Sequence, residues 1–320
     1  MLVKRPLVPG GAVCPAHSPL SAGMVMRISR TTVIAAAALT LAACSESTSP
    51  VAPVSLAGAR LAMTPGSITE VVIQSDISVQ LINTAPSTLK AWTLFTRDGG
   101  SGVMVAGPAT PPGGTGSFGM STPLSNDKAT LFNYEHIGTP LSSVGAIAYS
   151  TYRTAGSLQQ VAALNIEVDF NGPAAAHGFT TLVFEPVYNT GQGLVVSGVW
   201  QRWDAFDGGA ATWWSTKPIP GVCAFSCFVS WNAIIAANPD ATILGGVGIN
   251  QGGGNPGLST SVDNFTLGYG GNSVTYDFEQ FRTPSSLQSC MKEGWMTLTT
   301  ATGAAFKNQG QCIQYFNTGK

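Results

Sequence analysis

The sequence predicts an all-β protein built as a sandwich of antiparallel strands, and three observations predict it. The 320 residues hold 38 Gly and 20 Pro but only 10% charged residues, with abundant Ser, Thr and Asn, the make-up of a β chain with many turns. Over residues 67–281, short β-type segments are separated by clusters of Gly, Pro, Asn and Asp. Several of these segments alternate apolar and polar residues, the pattern of a strand that buries one face and wets the other in an antiparallel sheet.

Taken in order, residues 1–25 fit no export signal and carry Pro6, Pro9, Pro15 and Pro19, so translation is expected to start at Met24 or Met26. Residues 26–43 have the three-part layout of a secretory signal: Arg27 and Arg30, an apolar run over 33–41, then small residues up to Cys44. The run is shorter than the roughly 20 residues of a bilayer-spanning helix, which favours cleavage over retention. Residues 44–66 are rich in Ser, Pro and Ala without sustained periodicity and read as a flexible tether.

Within the body, Ile147, Tyr149 and Thr151 share one strand face, and Tyr152 falls on the other. Leu164, Ile166, Val168 and Phe170 oppose Asn165, Glu167 and Asp169; Val274, Tyr276 and Phe278 oppose Thr275, Asp277 and Glu279. One helix is expected, residues 230–237, with Ser230 as N-cap, Trp231, Ile234 and Ile235 on one side, and Asn238-Pro239 as the stop. Internal repeats are absent from the sequence, so residues 67–281 read as one domain. Residues 284–320 form a compact tail too short to bury much core without a cross-link.

Beyond Cys44 there are four cysteines, Cys223, Cys227, Cys290 and Cys312, which allow three pairings. The local pairs Cys223–Cys227 and Cys290–Cys312 are preferred because each sits within one segment. The wide second spacing and an oxidising compartment disfavour a four-cysteine zinc site. Residues 1–44 contain Lys4, Arg5, Arg27 and Arg30 and no acidic residue, so the remainder carries 11 basic against 16 acidic residues, a net −5. That balance argues against nucleic acid as a partner.

Leu41-Ala42-Ala43-Cys44 resembles the lipobox of bacterial lipoproteins. The resemblance implies that Cys44 becomes the first residue, carrying several acyl chains, which gives stable anchoring where one chain does not. Ser45 resembles the pattern that sorts such proteins to an outer membrane. Cys290, Gly294-Trp295 and the run Phe306-Lys307-Asn308-Gln309-Gly310-Gln311-Cys312 resemble an element that closes many uncharacterised secreted bacterial proteins. The body resembles the jelly-roll, concanavalin-like domains found beside that element. The residues in question are Gly107-Pro108-Ala109-Thr110-Pro111-Pro112-Gly113, Tyr149-Ser150-Thr151-Tyr152, the stretch 200–214 and Val262-Asp263-Asn264. Together these cover most of residues 92–320 and imply an antiparallel jelly roll but no activity.

Glu167-Val168-Asp169 resembles the catalytic strand of laminarinase-type glucanases, which share that sandwich. The second glutamate of their motif falls here on Asn171 or Gly172, so protonation of a leaving group has no owner, and a solvated strand face is expected. His136 and His177 are expected at the surface in turns. The sequence holds no Gly-x-Ser-x-Gly elbow, and the glycine-rich run 245–254 lacks the Lys-Ser or Lys-Thr of a phosphate loop and reads as a strand and a long loop. Asp263 and Asp277 lie near strand ends where related sandwiches hold a structural calcium, although two acidic residues fall short of its six to eight oxygens.

Aromatics lead towards binding. Trp200, Trp203, Trp213, Trp214 and Trp231 lie within 32 residues, and Trp213 and Trp214, neighbours on one strand, cannot both enter the core. An indole left at the surface stacks on a sugar ring, with Gln201, Arg202, Asp204 and Asp207 near to bind hydroxyls. The plainer alternative is that the rings seal the sandwich. The expectation is a lipid-anchored envelope or surface protein with a non-catalytic glycan-binding face made from Trp200, Trp203, Asp204, Trp213 and Trp214. Its rivals are a structural or adhesion protein without a small ligand, and a degenerate glycosidase using Glu167 and Asp169. The oligomeric state is left open.

Overall fold

The computed structural model describes residues 66–82, 90–157, 159–171, 178–224 and 227–320. The expected signal, Cys44, most of the tether, and His177 lie outside the described residues. Among the described residues no helix is long and apolar enough to cross a membrane.

The chain forms β1 (Ser67–Val72), β2 (Ile77–Leu81), β3 (Trp92–Arg97), β4 (Ser101–Ala106), β5 (Gly116–Thr122), β6 (Lys128–Asn133), β7 (Val144–Ala155) and β8 (Ala163–Asp169). It continues with β9 (Phe179–Phe184), β10 (Trp200–Asp204), β11 (Thr212–Ser215), β12 (Val229–Ser230), β13 (Thr242–Gly252), β14 (Leu258–Tyr269) and β15 (Asn272–Phe278). These make two sheets packed face to face. In the smaller, β14 pairs along one edge with β7, which pairs with β10; along its other edge β14 pairs first with β5 and then with β15. The larger runs β12-β11-β9-β8-β13-β6-β3-β2.

The alternation sets which side chains fill the space between. Leu164, Ile166 and Val168 from the larger sheet and Ile147, Tyr149, Val274, Tyr276 and Phe278 from the smaller are buried there in one core. The expectation of purely antiparallel sheets is corrected at two places. β1 runs parallel to β15, and β2 runs parallel to β3. β1 and β2 are joined only by the 3-10 turn Gln74–Asp76 yet belong to different sheets. Neither meets its partner through a hairpin, so no tight turn imposes an antiparallel direction.

The expected helix is α1 (Trp231–Ala237). Ser230 caps it by accepting the Ala233 N–H at 3.3 Å, and Trp231 and Ile234 pack into the core. A second helix, α2 (Gln309–Thr318), stands in the tail, where the sequence predicts none. Asn308 accepts the Gln311 N–H at 2.9 Å to start it, and Gly319 ends it with φ 72°. Both local disulfides are present, Cys223–Cys227 and Cys290–Cys312. The second ties α2 to a small separate cluster of Leu298 and Phe306 with Trp295, Ile313 and Tyr315 against it. Arg282 joins tail to body, donating to Val71 O at 3.1 Å and to the Asp76 carboxylate at 2.7 Å.

Candidate functional site

Because Leu164, Ile166 and Val168 enter the core, Asn165, Glu167 and Asp169 must turn to the outer face of the larger sheet. The register carries Asn165 across that face. Trp214 stands opposite Val183, Val183 opposite Asn165, Asn165 opposite Gly248, and Gly248 opposite Phe132. The row reads indole, apolar group, amide, glycine gap and phenyl ring over five neighbouring strands.

The glycines of β13 create the gap. A Cβ at Gly245 would come within 2.1 Å of Glu167 Oε2, and one at Gly246 within 2.3 Å of the Phe132 ring. The carboxylate and the ring therefore lie over β13, where its pairing shifts between Ile243 and Val247, and Glu167 accepts the Gly246 N–H at 2.7 Å. The glycine-rich run is thus a strand whose outward positions 246 and 248 carry no side chain, while Val247 and Ile249 enter the core. Phe132 packs with Phe95 at 6.4 Å and with Tyr134 at 6.2 Å, the latter two rings being 6.3 Å apart.

Burial pushes the Glu167 carboxyl up, against the Gly246 N–H and the Lys128 charge that hold it down. Burial and the Glu167 charge together push the Tyr134 hydroxyl up. Glu185, just past β9, accepts the Trp214 indole N–H at 2.9 Å; burial raises its carboxyl and that bond opposes the rise. Asn165 is 6% exposed, and its Oδ1 has no hydrogen-bond partner among the described residues. The expected solvated strand face is therefore corrected, because Asn165 and Asp169 are buried and Glu167 is half-buried.

The Asp169 carboxylate accepts from the backbone. Asp169 is 2% exposed and accepts the Asn171 N–H at 2.9 Å and the Gly178 N–H at 3.1 Å, which shapes the β8–β9 connection. Glu185 follows Phe184, the partner of Leu164, so it sits about four residues along the sheet from Glu167. At roughly 3.3 Å per residue that is about 13 Å between their backbone positions.

The tryptophan cluster is divided three ways. Trp203 and Trp213 are wholly buried, their N–H groups given to Thr151 Oγ1 at 2.8 Å and Ala205 O at 3.0 Å, so their rings are unavailable to a ligand. That corrects their place among the binding candidates, and Trp231 is in the core beside Trp213. Trp200 lies on the outer face of the smaller sheet, donating to Pro108 O at 2.9 Å and 5.6 Å from the Tyr152 ring. Only Trp214 joins the glycine row. Asp204 closes a turn by accepting the N–H groups of Phe206 and Asp207 at 3.0 and 2.8 Å.

Asp263 is wholly buried and accepts the Gly113 N–H at 2.7 Å and the Phe278 N–H at 3.1 Å, pinning β14 where its neighbour changes from β5 to β15. Burial, opposed by those bonds and reinforced by Asp277, raises its carboxyl to about 7; burial and Glu279 raise Asp277 to about 6. Among the described residues no three His, Cys, Asp or Glu are grouped to hold a metal. His136 is corrected from the surface to the interior. It is 3% exposed, its Nε2 lies 2.9 Å from the Tyr276 hydroxyl 140 residues away, and burial lowers it to about 4.

Sequence reading missed Glu185, Phe95, Phe132 and Tyr134 as members of the face. The available signal was an aromatic at the outward position of β3 and of β6, strands whose inward positions already fill the core. Compared with known proteins, the chain matches no family model, no curated protein and no solved structure.

Proposed function

We propose that the protein is exported, is held at the cell envelope by lipid on Cys44, and presents a non-catalytic jelly-roll sandwich whose larger sheet binds a carbohydrate beside Trp214. The observation that carries this reading is the half-buried Trp214 ring on the outer face, its N–H on the Glu185 carboxylate, with the Asn165 Oδ1 that has no partner among the described residues two strands along the same row. The Trp214 ring face takes the apolar side of a pyranose, while Glu185 beside it takes a hydroxyl. Two disulfides support an oxidising compartment, and the signal-like residues 26–44 support export. The net acidic charge speaks against nucleic acid.

A glycan array probed with residues 45–320 tests the binding. Trp214→Ala is expected to abolish the signal while the melting temperature stays within a few degrees of the parent. An array on which the parent binds nothing would refute the reading. Incorporation of a labelled fatty acid, lost in Cys44→Ser, tests the anchor separately.

A further inference from the structure

We infer that the sugar this face selects carries a protonated amine, seated between the Trp214 ring and the Glu185 carboxylate; this rests on the carbohydrate reading above. The indole N–H occupies Glu185 Oε2 at 2.9 Å, and no ion pair or further side-chain hydrogen bond reaches that carboxylate among the described residues. The influences on Glu185 are burial, which raises it, and the Trp214 bond, which lowers it; no cation is among them. Glu167 differs, because it has both the Gly246 N–H and the Lys128 charge. Lys217 is held 4.8 Å over the Phe179 ring, at the opposite end of β9.

A half-buried carboxylate without a cation is a costly group, and a neutral hydroxyl relieves it only in part. An ammonium group does two things at once: it pairs with Glu185 through a charge-assisted bond and meets the negative face of the adjacent indole. The neighbouring acceptor has the same polarity. Asn165, aligned with Trp214 through Val183, turns to this face by strand parity and holds a buried Oδ1 that accepts nothing among the described residues. Open acceptors at both Glu185 and Asn165 match a ligand rich in N–H and O–H donors. A hexosamine with a free amine is such a ligand.

The test is calorimetric titration of the whole exported chain, kept soluble by Cys44→Ser, with three β-1,4-linked tetramers: glucosamine, N-acetylglucosamine and glucose. The glucosamine tetramer, in a buffer where its amines are charged, is expected to bind at least about tenfold tighter than the other two, the effect of one ion pair with a cation–π contact. Added salt should shrink the preference. Glu185→Gln, which still accepts the indole N–H, should bring the three tetramers to equal affinity without changing the melting temperature. Equal affinity of the parent for all three would overturn the amine inference and leave the carbohydrate reading standing. A preference that survives Glu185→Gln would overturn the seat, and failure of the parent to bind any tetramer or any glycan on the array would overturn both.

Discussion

Replacing His136 by Phe should change how stability depends on pH. In the folded protein the ring is 3% exposed, touches the Tyr276 hydroxyl and lies 5.9 Å from Tyr269, and burial lowers its pKa from 6.5 to about 4. Between those values the unfolded chain takes up a proton that the folded chain refuses. The unfolded state then binds more protons, so stability falls as pH falls from 6.5 through 4 and levels off below. At about 1.4 kcal/mol per pH unit the whole step is worth about 3 kcal/mol. Glu70, whose carboxyl burial raises, and the other carboxyls are present in both proteins, so the difference between the two curves isolates His136. At neutral pH the Phe variant loses the bond to Tyr276, worth about 1 kcal/mol, and should be the less stable. Near pH 3 the order should reverse. Urea unfolding followed by tryptophan fluorescence at intervals across this range measures the difference directly. Two profiles that run parallel throughout would refute the buried, neutral histidine.

Asp263 should contribute with the opposite sign. Its raised pKa of about 7 means the folded state holds a proton the unfolded chain has lost, so its share of stability is full below the unfolded value of 3.8 and lost as pH rises through about 7; Asp263→Asn should flatten that decline in the same unfolding series. Trp213→Ala empties a wholly buried site and should cost about 3–5 kcal/mol, whereas Trp214→Ala should cost far less and act on ligand affinity; equal losses in unfolding midpoint would contradict the division of the pair. Gly246→Ala drives a methyl into the Phe132 ring and should weaken glycan binding without unfolding the core, as read by titration against circular dichroism. Replacing Cys290 and Cys312 by Ser removes a cross-link spanning 22 residues and should open the tail to protease while residues 67–281 resist; the loss is about 3 kcal/mol for a loop of that size.

Much of the fold was legible because it is local. Alternation over 146–152, 164–170 and 273–279 assigned the inward residues correctly, and Ser230 with Asn238 bounded α1. The same logic separated Trp213 from Trp214. It failed for α2, whose Asn308 cap is hidden within a run of polar residues with little apolar periodicity. It failed also for His136, whose partner Tyr276 arrives from another strand 140 residues away. The binding candidates were misassembled for a related reason. Closeness in sequence grouped Trp200, Trp203, Trp213 and Trp214, but the sandwich sends them to the core and to two opposite outer faces.

By itself the sequence determined the β character, the buried side of the three strands with clear alternation and the first helix, and it favoured the local cysteine pairs, because each depends on residues close in the chain. Only the tertiary structure decided the strand order, the parallel direction of β1 and β2, the pairing of Trp214 with Glu185, and the placing of Glu167 and Phe132 over the glycines of β13. Those follow from hydrogen bonds between distant strands, and a period of two along a chain carries no record of which strand lies alongside or which way it runs.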